Sequence, residues 1–305
     1  MASRRVTDMK GGDSMRKKWI VFGALAAGAA ALASAARPNL PGLIFNAIFS
    51  ERVYRQRSFA YGPLPRQNLD LFEPAPAQQR RGVAIFFYGG GWRTGDRALY
   101  RFVGASLAAR GFATVIPDYR LFPEARFPAF MEDAGQAYRW VAKNIADNQP
   151  IIVLGHSAGG HIAALLALDP KIRGDAPAPD GLIGLAAPYA FDPTTWPTTA
   201  EIFSPTAGHP DAARPVAFVR PQAPPSMTKA PPSLLLRGAE DETVAAYNAE
   251  DFAQALKSAD VPVENKQYAG IGHIGLILTF AWPFRWRAPA LADSIAFIER
   301  ITAPR

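Results

Sequence analysis

From about residue 80 to residue 270 the chain alternates short apolar runs with longer stretches of mixed polarity. Val83–Tyr88, Ala113–Pro117, Ile151–Gly155, Leu182–Ala187, Ser233–Arg237 and Val263–Tyr268 read as strands. Stretches near 97–110, 129–146, 158–168 and 247–259, with a last one near 289–301, carry the helical spacing of apolar positions. Runs such as VAIFF and IIVL are apolar at every position, as in strands covered on both faces. Buried strands separated by helices predict an α/β fold whose mostly parallel sheet lies between helical layers. Upstream, Arg57–Tyr61 and Asn68–Phe72 predict an antiparallel pair at one edge. Residues 188–232 break the rhythm, being proline-rich and aperiodic, with Trp196, Phe203 and Phe218 among them. So long an irregular stretch in a compact domain usually serves a site, which makes it a candidate cap.

The amino-terminal pattern is different. Arg16-Lys17-Lys18 precedes Trp19–Ala36, eighteen residues without a charge that close in Ala33-Ser34-Ala35. A basic run, an apolar run and a small-x-small ending form the layout of an export signal. A retained membrane anchor is the rival reading, and a helix packed on the domain the third. The chain therefore divides into a targeting or anchor segment, 1–36, and one α/β domain, 37–305. The expected location is outside the cytoplasm, exported or anchored to the cytoplasmic membrane.

At 305 residues, 49% hydrophobic and 19% charged, the chain is long enough for one large folded domain. Its formal charge of +7 is concentrated at the start: residues 1–36 carry +4 and the remainder +3. No basic stripe interleaved with aromatics runs through the body, so nucleic acid is not an expected partner. The absence of cysteine excludes disulfides, thiol catalysis and thiolate metal sites.

The candidate chemistry lies where strands end. FFYGGGWRTGD, Phe86–Asp96, sets three glycines after a buried strand, a turn whose bare backbone N–H groups can approach a ligand closely. IIVLGHSAGGHIAALLAL contains Gly155-His156-Ser157-Ala158-Gly159, a G-x-S-x-G pattern between an apolar strand and an alanine-rich helix. In that context it is a nucleophile elbow, which lifts Ser157 to the tip of a strained turn. A serine hydroxyl needs a base, and the chain has four histidines. His156 adjoins the serine and is expected to turn its side chain away, and His161 sits one helical turn on. His209 lies in the proline-rich stretch and is the alternative to His273, which follows the last strand in the glycine-rich YAGIGHIGL. For the carboxylate that orients the base, LLLRGAEDETV offers Glu240, Asp241 and Glu242. The spacing from Gly238 favours Asp241 and leaves the two glutamates as solvated loop charges. Ser157, Asp241, His273 is then the chain order of the triad.

With these motifs in place the chain resembles the α/β-hydrolase superfamily, in its hormone-sensitive-lipase-like and arylformamidase-like carboxylesterase branch. YGGGW matches that branch's HGGGW, PDYRLFPEARFP its DYRLAPE-type stretch, and GHSAGG and GAEDETV its elbow and acid turn, over roughly residues 58–300. The resemblance implies an oxyanion hole made by Gly90 and Gly91, with Gly89 close behind, and by the N–H of Ala158. It implies a serine esterase acting on small-molecule esters without metal or organic cofactor. An amidase or arylformamidase with the same triad, or a non-catalytic binding protein on the same fold, are the alternatives. Tyr88 stands where the family pattern has a structural histidine. Asp118-Tyr119-Arg120 is read as a charged brace near the glycine turn.

Overall fold

The central strands are continuous apolar runs, and each is buried along its whole length. β3 (Gly82–Phe87), β4 (Phe112–Pro117), β5 (Ile151–His156) and β6 (Gly181–Leu185) expose no residue on either face. The computed structural model describes residues 44–46, 50–51, 55–76, 80–219 and 230–303. The targeting segment expected at 16–36 and residues 220–229 of the candidate cap lie outside them. Among the described residues no helix is long and apolar enough to cross a membrane.

Eight strands form one sheet in the order β1-β2-β4-β3-β5-β6-β7-β8. β1 (Arg55–Ala60) and β2 (Asn68–Glu73) pair antiparallel, and β2 pairs antiparallel with β4. From β4 onward, through β7 (Ser233–Gly238) and β8 (Val263–Tyr268), every neighbour is parallel. Such strands need crossovers, and helices supply them: α1 (Arg101–Ala108), α2 (Ala129–Val141), α3 (Ala158–Leu168), the single turn α4 (Pro170–Arg173) and α5 (Tyr247–Ser258). α6 (His273–Leu278) and α7 (Ala290–Thr302) complete the chain.

Both sheet edges are charged, which opposes pairing with another sheet. On β1, Arg57 reaches Glu73 of β2 at 2.9 Å. On β8, Lys266 reaches Asp293 of α7 at 2.9 Å. The helix facing the middle of the sheet is instead apolar all round, and every residue of α3 is buried. Its small residues set how close it comes: a Cβ on Gly160 would stand 2.4 Å from that of Ala187.

The order β4-β3-β5 means that the chain, having built β4 on one side of β3, crosses back to lay β5 on the other. A parallel sheet opens a crevice at such a reversal, beyond the carboxyl ends of the two strands. Phe87 of β3 is paired with Gly155 of β5 there, which brings the glycine turn and the elbow side by side. The fold places both motifs in that crevice.

Candidate active site

Ser157 sits at φ 54, ψ −124, between β5 and α3. A non-glycine residue is held in this region only when its surroundings over-determine it. Here two close approaches do so. A Cβ on Gly155 would lie 2.2 Å from the carbonyl oxygen of Gly159, and one on Gly159 would lie 2.0 Å from that of Phe87. The two glycines of the motif are thus required by backbone packing. The backbone N–H of Ser157 is tied to Leu185 O at 2.9 Å.

The strands farther along the sheet deliver the partners. After β7, Asp241 accepts the backbone N–H groups of Thr243 and Val244, both at 2.9 Å, on one oxygen. Its other oxygen lies 2.8 Å from His273 Nδ1. Burial pushes this carboxyl up, but the hydrogen bonds from His273, Val244 and Thr243 outweigh it and hold Asp241 below the usual carboxylate range. The carboxylate therefore fixes His273 with a proton on Nδ1, leaving Nε2 free to accept one. His273 is the first residue of α6 rather than part of an open loop, and the loop before it is bonded to the acid turn through Glu240 N and Ile271 O at 3.0 Å. His209 is exposed in a surface turn, its backbone N–H bonded to Thr206 O at 2.8 Å. Glu240 and Glu242 are both exposed, and Glu242 lies on the rim of the cavity described below.

The glycine turn stands against the elbow. Gly90 and Gly91 have φ of +134 and +59, which glycine adopts without penalty. Gly90 O accepts from Arg93 N at 3.1 Å and Thr94 N at 3.0 Å, which folds the turn back on itself. Gly91 borders the cavity that holds Ser157, with nothing within 4 Å of where a Cβ would point. Gly89 is closer still to Ser157, since a Cβ on it would stand 3.0 Å from that of Ser157. Ala158 opens α3, so its N–H has no carbonyl of its own helix to meet.

Tyr88 is fully buried and joins the turn to its supports. Its hydroxyl donates to Asp118 Oδ1 at 2.8 Å and accepts from Arg66 Nη2 at 2.8 Å. Arg66 also reaches Gly95 O at 2.8 Å, and Tyr119 donates to Tyr88 O at 2.7 Å. Burial, then the neighbouring Tyr119 and Asp118, push the phenol well above its ordinary range, so it works as a neutral donor. Asp118 and Tyr119 thus brace the glycine turn. Arg120 does not: it pairs with the buried Asp133 of α2 at 2.8 Å.

His156 takes a part that its place beside the serine did not indicate. Its ring is buried and faces that of His273, with ring centroids 4.8 Å apart, and its Nε2 lies 3.1 Å from His273 O. A carbonyl only accepts, so Nε2 carries the hydrogen and holds the backbone of His273. His161 is likewise buried and donates from Nε2 to Ala213 O at 2.7 Å. Its ring meets Trp92 and Phe203 edge to face. It pins the proline-rich stretch to α3, the helix that follows Ser157.

Burial lowers His156 to about 3, with His273 beside it adding to the effect, and lowers His161 to about 4. The sign of the linkage follows. The unfolded chain takes up these protons below about pH 6.5, whereas the folded chain refuses them until pH 4 to 3. Stability contributed by the two neutral rings is present above pH 6.5 and is lost as pH falls through that window. Urea denaturation at pH 7 and pH 5 should show a loss of about 2 kcal/mol per ring. Equal stabilities at the two pH values would contradict this burial account.

The described part of the candidate cap, 188–219, is a series of turns over 188–203 followed by three short turns of 3-10 helix at Ser204–Thr206, Pro210–Ala213 and Pro215–Phe218. Ile202 and Phe203 are fully buried, and Phe203 packs on Trp92, Phe127 and Phe130. Trp196, Thr198 and Phe191 from this stretch face Val244 and Tyr247 across a cavity of about 240 Å³ with Ser157 on its wall. Among the described residues no cluster of histidine, cysteine, aspartate or glutamate side chains could hold a metal ion.

Comparison with known proteins agrees with this geometry. A family model described as alpha/beta hydrolase fold matches residues 84–276, more than half of the chain. Among curated relatives, Esterase LipC of Mycobacterium tuberculosis is 28% identical over 261 residues, covering 75% of this chain and 62% of its own length. Esterase LipQ of the same organism is 30% identical, covering 78% of this chain and 61% of that protein. Isoprenylcysteine alpha-carbonyl methylesterase of Arabidopsis thaliana is 27% identical, with 85% and 65% covered. The chain spans less than two thirds of the length of each of these relatives. Among solved structures, a truncated carbohydrate esterase from gut microbiota superposes with a TM-score of 0.69 at 19% identity, covering 84% of this chain and all of that one. Esterase 2 of Thermogutta terrifontis superposes with a TM-score of 0.65 at 24% identity, covering 82% and 96%. With the sheet order, the elbow and the match over residues 84–276 in agreement, the chain belongs to the α/β-hydrolase fold family.

Proposed function

We propose that this chain is a serine carboxylesterase that cleaves esters of small or medium size through an acyl-enzyme. The observation that carries the reading is the 2.8 Å contact of Asp241 with His273 beside a cavity walled by Ser157 on a strained elbow. Ser157 Oγ attacks the ester carbonyl while His273 Nε2 takes its proton, and Asp241 stabilises the imidazolium. The carbonyl oxygen gathers negative charge in the oxyanion hole offered by the glycine turn and Ala158 N–H. The tetrahedral species collapses as His273 returns the proton to the leaving alcohol. Water, activated by the same histidine, then attacks the acyl carbon and releases the acid and Ser157. The relatives compared above, esterases and a methylesterase, point the same way. The stretch 188–219 serves as the wall that shapes this site.

A cavity of about 240 Å³ is smaller than the roughly 300 Å³ at which pockets for drug-sized ligands begin. It favours short acyl and alcohol groups. In a panel of p-nitrophenyl esters, kcat/KM should be highest from acetate to butyrate and fall about tenfold or more by octanoate. A fluorophosphonate probe should label Ser157 and no other residue. Protein that neither reacts with the probe nor hydrolyses any ester would point to a binding role instead. Aryl formamides cleaved faster than every ester would move the reading to an arylformamidase.

A further inference from the structure

After α6 the chain forms a short strap of 3-10 helix, Trp282–Arg287, with sequence WPFRWR. Trp282 is 56% exposed and Trp286 83% exposed. Their exposure does not come from a loose backbone. Arg285, between them, donates to both carboxylate oxygens of Glu51 at 2.9 Å, to Ser106 Oγ of α1 at 2.8 Å and to Phe280 O at 3.1 Å. Arg110 holds the same Glu51 at 3.0 Å, and Arg287 reaches Gly270 O at 3.2 Å. The strap is thus bonded to the amino-terminal end of the domain, to a helix and to the loop before His273, while its two indoles face water. An indole carries one of the largest apolar surfaces of any side chain, and its preferred setting is a boundary, apolar on one side and wet on the other.

The route of the chain gives the strap an occupant. Glu51, bonded to Arg285, follows the uncharged run Trp19–Ala36 by fifteen residues, at most about 50 Å of extended chain. That run is preceded by Arg16-Lys17-Lys18, and residues 1–36 carry a net +4, which suits an anionic lipid surface. A segment of this pattern that enters a bilayer therefore tethers the domain through the chain at Glu51, which the strap itself holds. We propose that Trp282–Arg287 is a membrane-docking face, with Trp282 and Trp286 seated among the headgroups of the bilayer that residues 16–36 enter. The proposal does not depend on the hydrolase chemistry.

The absence of cysteine makes the test direct, because one introduced thiol takes one label. Full-length Trp286→Cys carries an environment-sensitive NBD probe. A second protein, Ser258→Cys, carries it at the end of α5, beyond the amino-terminal edge of the sheet. Both are added to vesicles of phosphatidylcholine and phosphatidylglycerol. On vesicle-bound chain the probe at 286 should shift to the blue and become about fivefold or more less accessible to iodide, while the probe at 258 stays unchanged. The unlabelled double variant Trp282→Ser/Trp286→Ser should bind these vesicles about tenfold more weakly in flotation. A probe at 286 as open to iodide as the one at 258 on bound chain overturns the proposal. So does failure of the full chain to float with the vesicles. Shielding of 286 before vesicles are added overturns it as well, because the chain's own amino-terminal segment or a second copy would then be the occupant.

Discussion

Ser157→Ala should lower kcat/KM for p-nitrophenyl acetate by at least about 10³-fold and leave the folded structure as it is. The substitution removes one oxygen atom and keeps the Cβ that Gly89 packs against, so the elbow has no reason to rearrange. Its strained φ of 54 is imposed by the approach of Gly155 to Gly159 and of Gly159 to Phe87, none of which involves the hydroxyl. The residual rate would come from the oxyanion hole and from substrate binding, which the variant retains. Circular dichroism and the urea midpoint should match the parent, and the fluorophosphonate probe should no longer react. Turnover near that of the parent would show that Ser157 is not the nucleophile.

His273→Ala should cost a comparable factor, because Ser157 then has no group to take its proton and the leaving alcohol none to supply one. The comparison with His209→Ala makes the test specific. His209 is exposed on a turn and is held through its backbone, bonded to Thr206 O and Ala212 N, so losing its ring should change kcat/KM by no more than a few-fold. His273 carries the 2.8 Å contact to Asp241, whose own side chain is 3% exposed. Measuring both variants on the same ester ranks the two candidate bases. A large loss at 209 with little at 273 would reverse the assignment.

The sheet was legible wherever burial on both faces leaves an uninterrupted apolar run. VAIFF, ATVIP, IIVLG and SLLLR lie within observed strands to within a residue or two. VENKQY is a strand for another reason: it is the outer edge, where polar residues meet α7 and water. Helix ends were less legible. The stretch read as 97–110 begins with a turn of 3-10 helix at Arg97–Tyr100, and that read as 129–146 ends in a wider turn over Ala142–Ala146. α6 was missed because glycines flank His273, and glycine signals a turn when read along the chain. Ser157 and Asp241 were legible because each stands at a fixed offset from glycines that backbone packing requires. The part of His156 was not, since its contact with His273 joins residues 117 apart. Glu242, read as a solvated charge, is exposed and also on the rim of the cavity. The cavity walls as a whole were beyond local reading, because they meet only when the 188–219 stretch folds back on α3. The expectations for residues 16–36 rest on their sequence pattern.

Residues 188–219 are tied to the rest of the domain through Phe203 in its aromatic nest, the bond from His161 to Ala213 O, Tyr189 stacked on Phe252 and the bonds of Asn248 to Ala190 and Phe191. Ser157, Asp241 and His273 hang from the sheet, after the ends of β5, β7 and β8. In the proposed reading, chemistry and selectivity are carried largely by different parts of the chain. On that reading a lineage can rewrite the exposed wall positions Trp196 and Thr198 without touching Ser157, Asp241 or His273, whereas Tyr189 and Ala190 are buried and held by Phe252 and Asn248. That separation makes the scaffold readily evolvable. A laboratory seeking new substrates would randomise these wall positions first and keep every variant that still reacts with the fluorophosphonate probe.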